Sequence, residues 1–135
     1  MAKYTPDNLI PALRLFIEAR NNAVDSGFTD NGGAIHSVER ILDILSQRLC
    51  FAGLTHTNHL KKSTDAEISV AAHAARIRGE NIFIEHVLPQ RAYAKEIIAR
   101  VAKGSTDDEL IKYIRENYRL VLLTDEETKR INRSA

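Results

Sequence analysis

Apolar residues recur along this chain at helical spacing first and in short β-prone runs later. Thr5-Pro6-Asp7 opens a helix: a capping hydroxyl, a proline at the first helical position and an acid at the positive end of the dipole. Leu9, Leu13, Phe16, Ile17 and Val24 then share one helical face. Residues 25–33, D-S-G-F-T-D-N-G-G, carry loop chemistry. Ser37 is placed to cap a second helix whose stripe, Val38, Ile41, Leu42, Leu45 and Leu49, is the clearest in the chain. Gly53 to Ser63 reads as a connecting loop. Thr64-Asp65-Ala66-Glu67 has the form of a capping box. It predicts a third helix with alanines at 66, 71, 72, 74 and 75, stopped by Gly79. Small side chains there suit close approach by another helix.

The period then changes. Asn81 to Leu88, N-I-F-I-E-H-V-L, is short and rich in β-branched residues, and it predicts a strand. Pro89 can start a helix to Lys103, ended by Gly104. Thr106-Asp107-Asp108-Glu109 is a second capping box, with a helix through Leu110, Ile111 and Ile114 to about Asn117. Tyr118 to Leu123, Y-R-L-V-L-L, predicts a second strand. Thr124-Asp125-Glu126-Glu127 is a third capping box, and it opens a last helix whose only large apolar residue is Ile131. A helix that polar adds little to a core, so one of its faces is free for another purpose.

The pattern therefore predicts a mainly helical α+β protein. We expect one domain over residues 1–135, with a helical layer over 1–79 and a strand-bearing portion over 80–135. Two helices are inserted between its strands. Length and composition agree with a globular chain: 44% hydrophobic, 27% charged, net charge +1. Cys50 is the only cysteine, which excludes an intrachain disulfide and a cysteine zinc knuckle. Its L-C-F-A context reads as a small buried hydrophobe. No apolar run approaches membrane length and the first residues lack a signal-peptide core, so the expected setting is soluble, cytoplasmic and free of membrane.

Most histidines read as structural. His56 and His59 share a spacing seen among metal ligands, but no cysteine or second histidine pair completes a set, and a polar loop is the better reading. His36 precedes a helix and His73 lies among alanines. Gly32 and Gly33 follow no strand and lack the lysine of a phosphate loop. Arg76, Arg78, Arg91, Lys95, Arg100 and Lys103 face only Glu80, Glu85 and Glu96 between residues 76 and 103. That excess is either a solvated helix face or a track for a phosphate backbone.

One dipeptide carries specific chemistry. Glu85-His86 closes an apolar strand, with Pro89 three residues on. Adjacent strand residues point to opposite sides, so the pair converges only at a strand end or bulge. The stretch I-E-H-V-L-P-Q, followed by L-V-L-L-T-D-E-E-T-K-R-I-N, resembles the HNH, or His-Me finger, endonucleases over roughly residues 80–135. The resemblance implies a ββα-metal unit acting on DNA. His86 would be the general base, a role that imidazole suits as a residue type. Glu85 would bind a divalent ion, Mg2+ or Mn2+, which takes oxygen ligands and keeps several waters. Asn117 would orient the histidine. On the last helix Asn132 is the preferred further metal ligand and Thr128 the second choice, one turn earlier.

The inserted helices are longer than in the simplest members, and the zinc-binding cysteine pairs of some relatives are absent. A second class of function therefore stays open. This is a non-catalytic helical binding protein (an inhibitor, immunity protein or small regulator) that keeps a degenerate scaffold of this kind and acts through a protein partner or a homodimer.

Overall fold

The computed structural model describes residues 5–51 and 57–134, without the side chains of Thr57 and of residues 132–134. In chain order these residues form α1 (Pro6–Asp25), α2 (Ile35–Cys50), β1 (Glu67–Ile68), α3 (Val70–Ile77), β2 (Phe83–His86), α4 (Gln90–Ala102), α5 (Asp107–Asn117), β3 (Leu120–Leu123) and α6 (Asp125–Ser134). The class is mainly helical α+β with one small mixed sheet. The chain divides into two compact units, one within Met1–Gly53 and Leu88–Tyr118, the other within Leu54–Val87 and Arg119–Ala135. The grouping runs across residue 79 rather than at it. Helices α4 and α5 belong with α1 and α2, while α3 belongs with the strands.

The first unit is a helical bundle. Leu9, Leu13 and Ile17 of α1 are buried, as are Val38, Leu42 and Leu45 of α2, Ile97 of α4 and Ile114 of α5. Each such side chain contributes about 1.5–3 kcal/mol by leaving water. Phe16 departs from the expected face and is 39% exposed beside the exposed Leu15. The buried stripe of α1 follows i, i+4 steps through 9, 13 and 17, and residues 15 and 16 lie beside it. Helix α2 also starts before its expected cap. A wide turn over Asp30–Ala34 runs into it, using Gly32 at φ +80°, and Ser37 sits exposed in the first turn. Arg20 pins that turn with a fork onto Asp30, Nε to Oδ1 at 3.0 Å and Nη2 to Oδ2 at 2.6 Å.

A polar network crosses this core. Ser46, fully buried, donates its hydroxyl hydrogen to the Leu42 carbonyl at 2.7 Å. Its one hydrogen is thereby used, so in the 2.6 Å contact with Tyr93 the phenol donates. Tyr118 donates to Asp43 Oδ1 at 2.7 Å, and Gln47 donates to Oδ2 at 2.8 Å. Burial raises both phenols above their ordinary value, with the Asp43 carboxylate adding to the rise at Tyr118. The folded phenols thus stay protonated where those of the unfolded chain ionise. Their stabilisation is complete below about pH 10 and falls as pH rises. Tyr118→Phe is expected to cost about 1–3 kcal/mol at neutral pH, because it takes a donor from a carboxylate at the core. It should also flatten the alkaline loss. Urea unfolding at about pH 7 and about pH 10.5 checks both.

The second unit is built on a sheet of order β1-β3-β2, with β1 parallel and β2 antiparallel to β3. Strand β1 replaces the first turn of the helix expected from Thr64. Glu67 and Ile68 pair with Val121 and Leu122, and the Ser69 amide bonds the Leu122 carbonyl at 3.1 Å. Ser69 then caps α3 by accepting from the Ala72 amide at 3.0 Å. Sheet pairing has overridden the local capping signal. The other two capping boxes form as expected, Thr106 with Glu109 and Thr124 with Glu127.

Candidate functional site

Register decides where the side chains of β2 go. Phe83, Ile84, Glu85 and His86 pair with Leu123, Leu122, Val121 and Leu120 without a bulge. Alternation therefore sends Ile84 and His86 to one face, with Leu120, Leu122 and Ile68. Phe83 and Glu85 go to the other, with Val121, Leu123 and Glu67. The ladder continues past the strand's last residue, since the Val87 amide bonds the Arg119 carbonyl at 3.0 Å. Glu85 and His86, both half-buried, thus leave the strand in opposite directions. A group touching both would have to reach around the open margin of β2, which is an edge strand.

Helix α6 follows β3 and packs against β2. The polar surface expected of it is present: Asp125 and Glu126 are exposed and Ile131 is 47% exposed. Thr128 is half-buried, and its hydroxyl oxygen is buried without a hydrogen-bond partner. Such an oxygen costs about 1–3 kcal/mol if nothing meets it. Asn132 lies one turn further along α6; its side chain falls outside the described residues. Asn117 ends α5 in the helical unit and donates its amide to the Tyr113 carbonyl at 2.9 Å, a local bond within its own helix. The sheet unit therefore holds Glu85, His86, Thr128 and the backbone of Asn132, and Asn117 belongs to the other unit.

Glu85 carries a carboxylate and Thr128 a buried hydroxyl oxygen, ligand types that magnesium and manganese take. Among the described residues no three or more His, Cys, Asp or Glu side chains stand where they could hold one ion. That composition is unlike a closed zinc site. His59 is exposed in a short 3-10 turn, Thr57–Lys62, and His56 lies outside the described residues.

The expected basic track is divided. Arg76 and Arg78 fall in the sheet unit, and Arg91, Lys95, Arg100 and Lys103 in the helical one. Arg78 forks onto Glu80, Arg91 reaches Glu39 at 3.2 Å, and Arg100 reaches Glu96 at 3.0 Å while lying 3.9 Å over the Tyr113 ring. Arg76 donates to the carbonyls of Lys61 and Ser63. These four guanidinium groups are committed to protein partners.

The 3-10 turn is what pattern reading overlooked. It contacts β2, and Lys61 Nζ sits 5.8 Å from the Phe83 ring centroid. No short-range signal links residues so far apart in sequence. A cleft of about 540 Å³ also opens in this unit, lined by Ala71, Ala74, Arg78, Glu80, Asp125 and Arg130 among others. Its charges are of both signs.

Ser69 ties α3 to α6. Its hydroxyl caps α3 and donates to Glu127 Oε1 at 2.7 Å. The Ser69 hydroxyl, followed by the Thr124 amide, holds the Glu127 carboxyl below its ordinary value. The associated stability is present above about pH 4.5 and is lost as pH falls. Ser69→Ala is expected to destabilise by about 1–2 kcal/mol and to weaken the acid dependence, as unfolding at about pH 7 and about pH 4 would read.

No protein-family model, curated protein or solved structure matches this chain.

Proposed function

We propose that the chain is a divalent-metal-dependent DNA endonuclease of HNH-like type, with His86 as general base and Glu85 as metal ligand. The observation that carries this reading is the antiparallel pair β2–β3, closed by α6 against β2, with Glu85 and His86 as the last residues of the edge strand. The two side chains leave β2 on opposite faces, so they can serve one phosphodiester only around its open margin, where Glu85 would hold the ion and His86 would take a proton from water. When bound, the metal would stabilise charge on the leaving oxygen. Thr128 and Asn132 are the neutral oxygen donors that α6 offers, and Asn117 has no assigned part. The test is nicking of supercoiled plasmid with magnesium, with manganese and with EDTA. Nicking that needs either ion supports the reading, and none under any condition overturns it.

A second reading has its own observation. Val70 and Ile77, seven residues apart on one side of α3, are 89% and 74% exposed. Large aliphatic side chains so placed favour a non-catalytic protein that binds a partner or a second copy. On that reading plasmid stays intact under every ion.

A further inference from the structure

The turn Thr57–Lys62 presents two ammonium groups that no carboxylate among the described residues neutralises. Lys62 is exposed and Lys61 half-exposed, and among the described residues neither makes an ion pair. The turn's backbone is anchored, because Arg76 Nη1 donates to the carbonyls of Lys61 at 3.3 Å and Ser63 at 2.8 Å. The lysine stems therefore rise from a fixed base, in contrast to the arginines committed to internal partners.

The position of Lys61 is specific, and Lys62 follows it in the same turn. Lys61 lies over Phe83, which shares its face of β2 with Glu85. Two residues along a strand span about 7 Å, and each strand of duplex DNA carries a phosphate every ~3.4 Å of axis. A duplex meeting this face at Glu85 would thus bring neighbouring phosphates within reach of the turn. The Glu85 carboxylate repels a phosphodiester, so cations beside it are needed to hold the backbone there.

We propose that Lys61 and Lys62 are the phosphate-gripping residues of this unit and hold duplex DNA along the face of β2 that carries Phe83 and Glu85. The proposal rests on the nuclease reading for its substrate, and its test is independent of catalysis.

The test is fluorescence anisotropy of a labelled duplex of about 20 base pairs, in EDTA, over a range of salt concentrations. It compares wild type, Lys61→Gln/Lys62→Gln and, as a charge-matched control, Lys103→Gln/Lys112→Gln from the helical unit. The first double variant is expected to bind at least about tenfold more weakly near 0.1 M salt, with a salt slope smaller by roughly 2. The control should change far less. Equal affinity and slope in wild type and the Lys61/Lys62 variant overturn the proposal, whatever the plasmid assay shows. Failure of wild type to bind overturns it too. Binding that depends on these lysines without any nicking upholds it and removes only the catalytic assignment.

Discussion

His86→Ala is expected to lower the metal-dependent nicking rate by about 10²–10⁴-fold, the usual contribution of a positioned general base. The expectation is a rate effect, because His86 is the last residue of β2 and only half-buried. Its backbone pairing with Leu120 does not need the imidazole, so the sheet should survive the substitution. The ring shares its face with Leu120, which is 2% exposed, and alanine there removes some apolar contact as well. Unfolding must therefore be measured beside nicking. An intact urea transition with lost nicking assigns the loss to chemistry. Nicking at the wild-type rate in the variant sinks the assignment of His86, and with it the reason for placing a base at the end of an edge strand.

Much of this architecture was legible because local chemistry and tertiary packing agree. The caps at Thr106 and Thr124 form as written, and Gly79 and Gly104 follow the ends of α3 and α4 with φ of +76° and +89°. The two strands that bear or face Glu85-His86 were readable from their β-branched and aliphatic runs. Failures came where a distant segment decided the outcome. Glu67 and Ile68 became a strand because β3 offered an edge, and a two-residue strand has no periodicity to detect. Helices α4 and α5 lie between the strands in sequence, yet Tyr93, Ile97 and Ile114 belong to the helical unit's core. Hydrophobic pattern says which face is buried and not against which partner.

The candidate site was legible to a lesser degree, for a related reason. A dipeptide can be recognised as acid plus base, and alternation warns that the two diverge. Neither shows that the ladder runs through both residues without a bulge, or that Asn117 belongs to the helical unit. The cations expected to follow a phosphate backbone were counted along the sequence, where Arg78 and Glu80 look like two independent charges. In space they are one fork. Lys61 and Lys62 lie in a loop-like stretch of sequence, which names no neighbours for them, whereas in space Lys61 lies over Phe83.

Leu122→Ala is expected to destabilise the sheet unit by about 2–5 kcal/mol. Leu122 is fully buried and lies on the central strand, opposite Ile68 on one side and Ile84 on the other. Truncation removes apolar surface from both pairings at once and leaves a cavity that two edge strands of two and four residues are poorly able to close. Its backbone carbonyl also receives the Ser69 amide, so loosening there reaches the residue that caps α3. Leu122→Met keeps volume and should cost less than about 1.5 kcal/mol. Urea unfolding gives the energies, and hydrogen exchange locates them. The Ser69 amide and the amides of β2 and β3 should lose protection in the alanine variant, and the methionine variant should keep it. A loss below about 1 kcal/mol with unchanged exchange would mean that Leu122 is not the centre of this unit's core. The placement of Glu85 and His86 on opposite faces would then lose its support, because it depends on the register that Leu122 anchors.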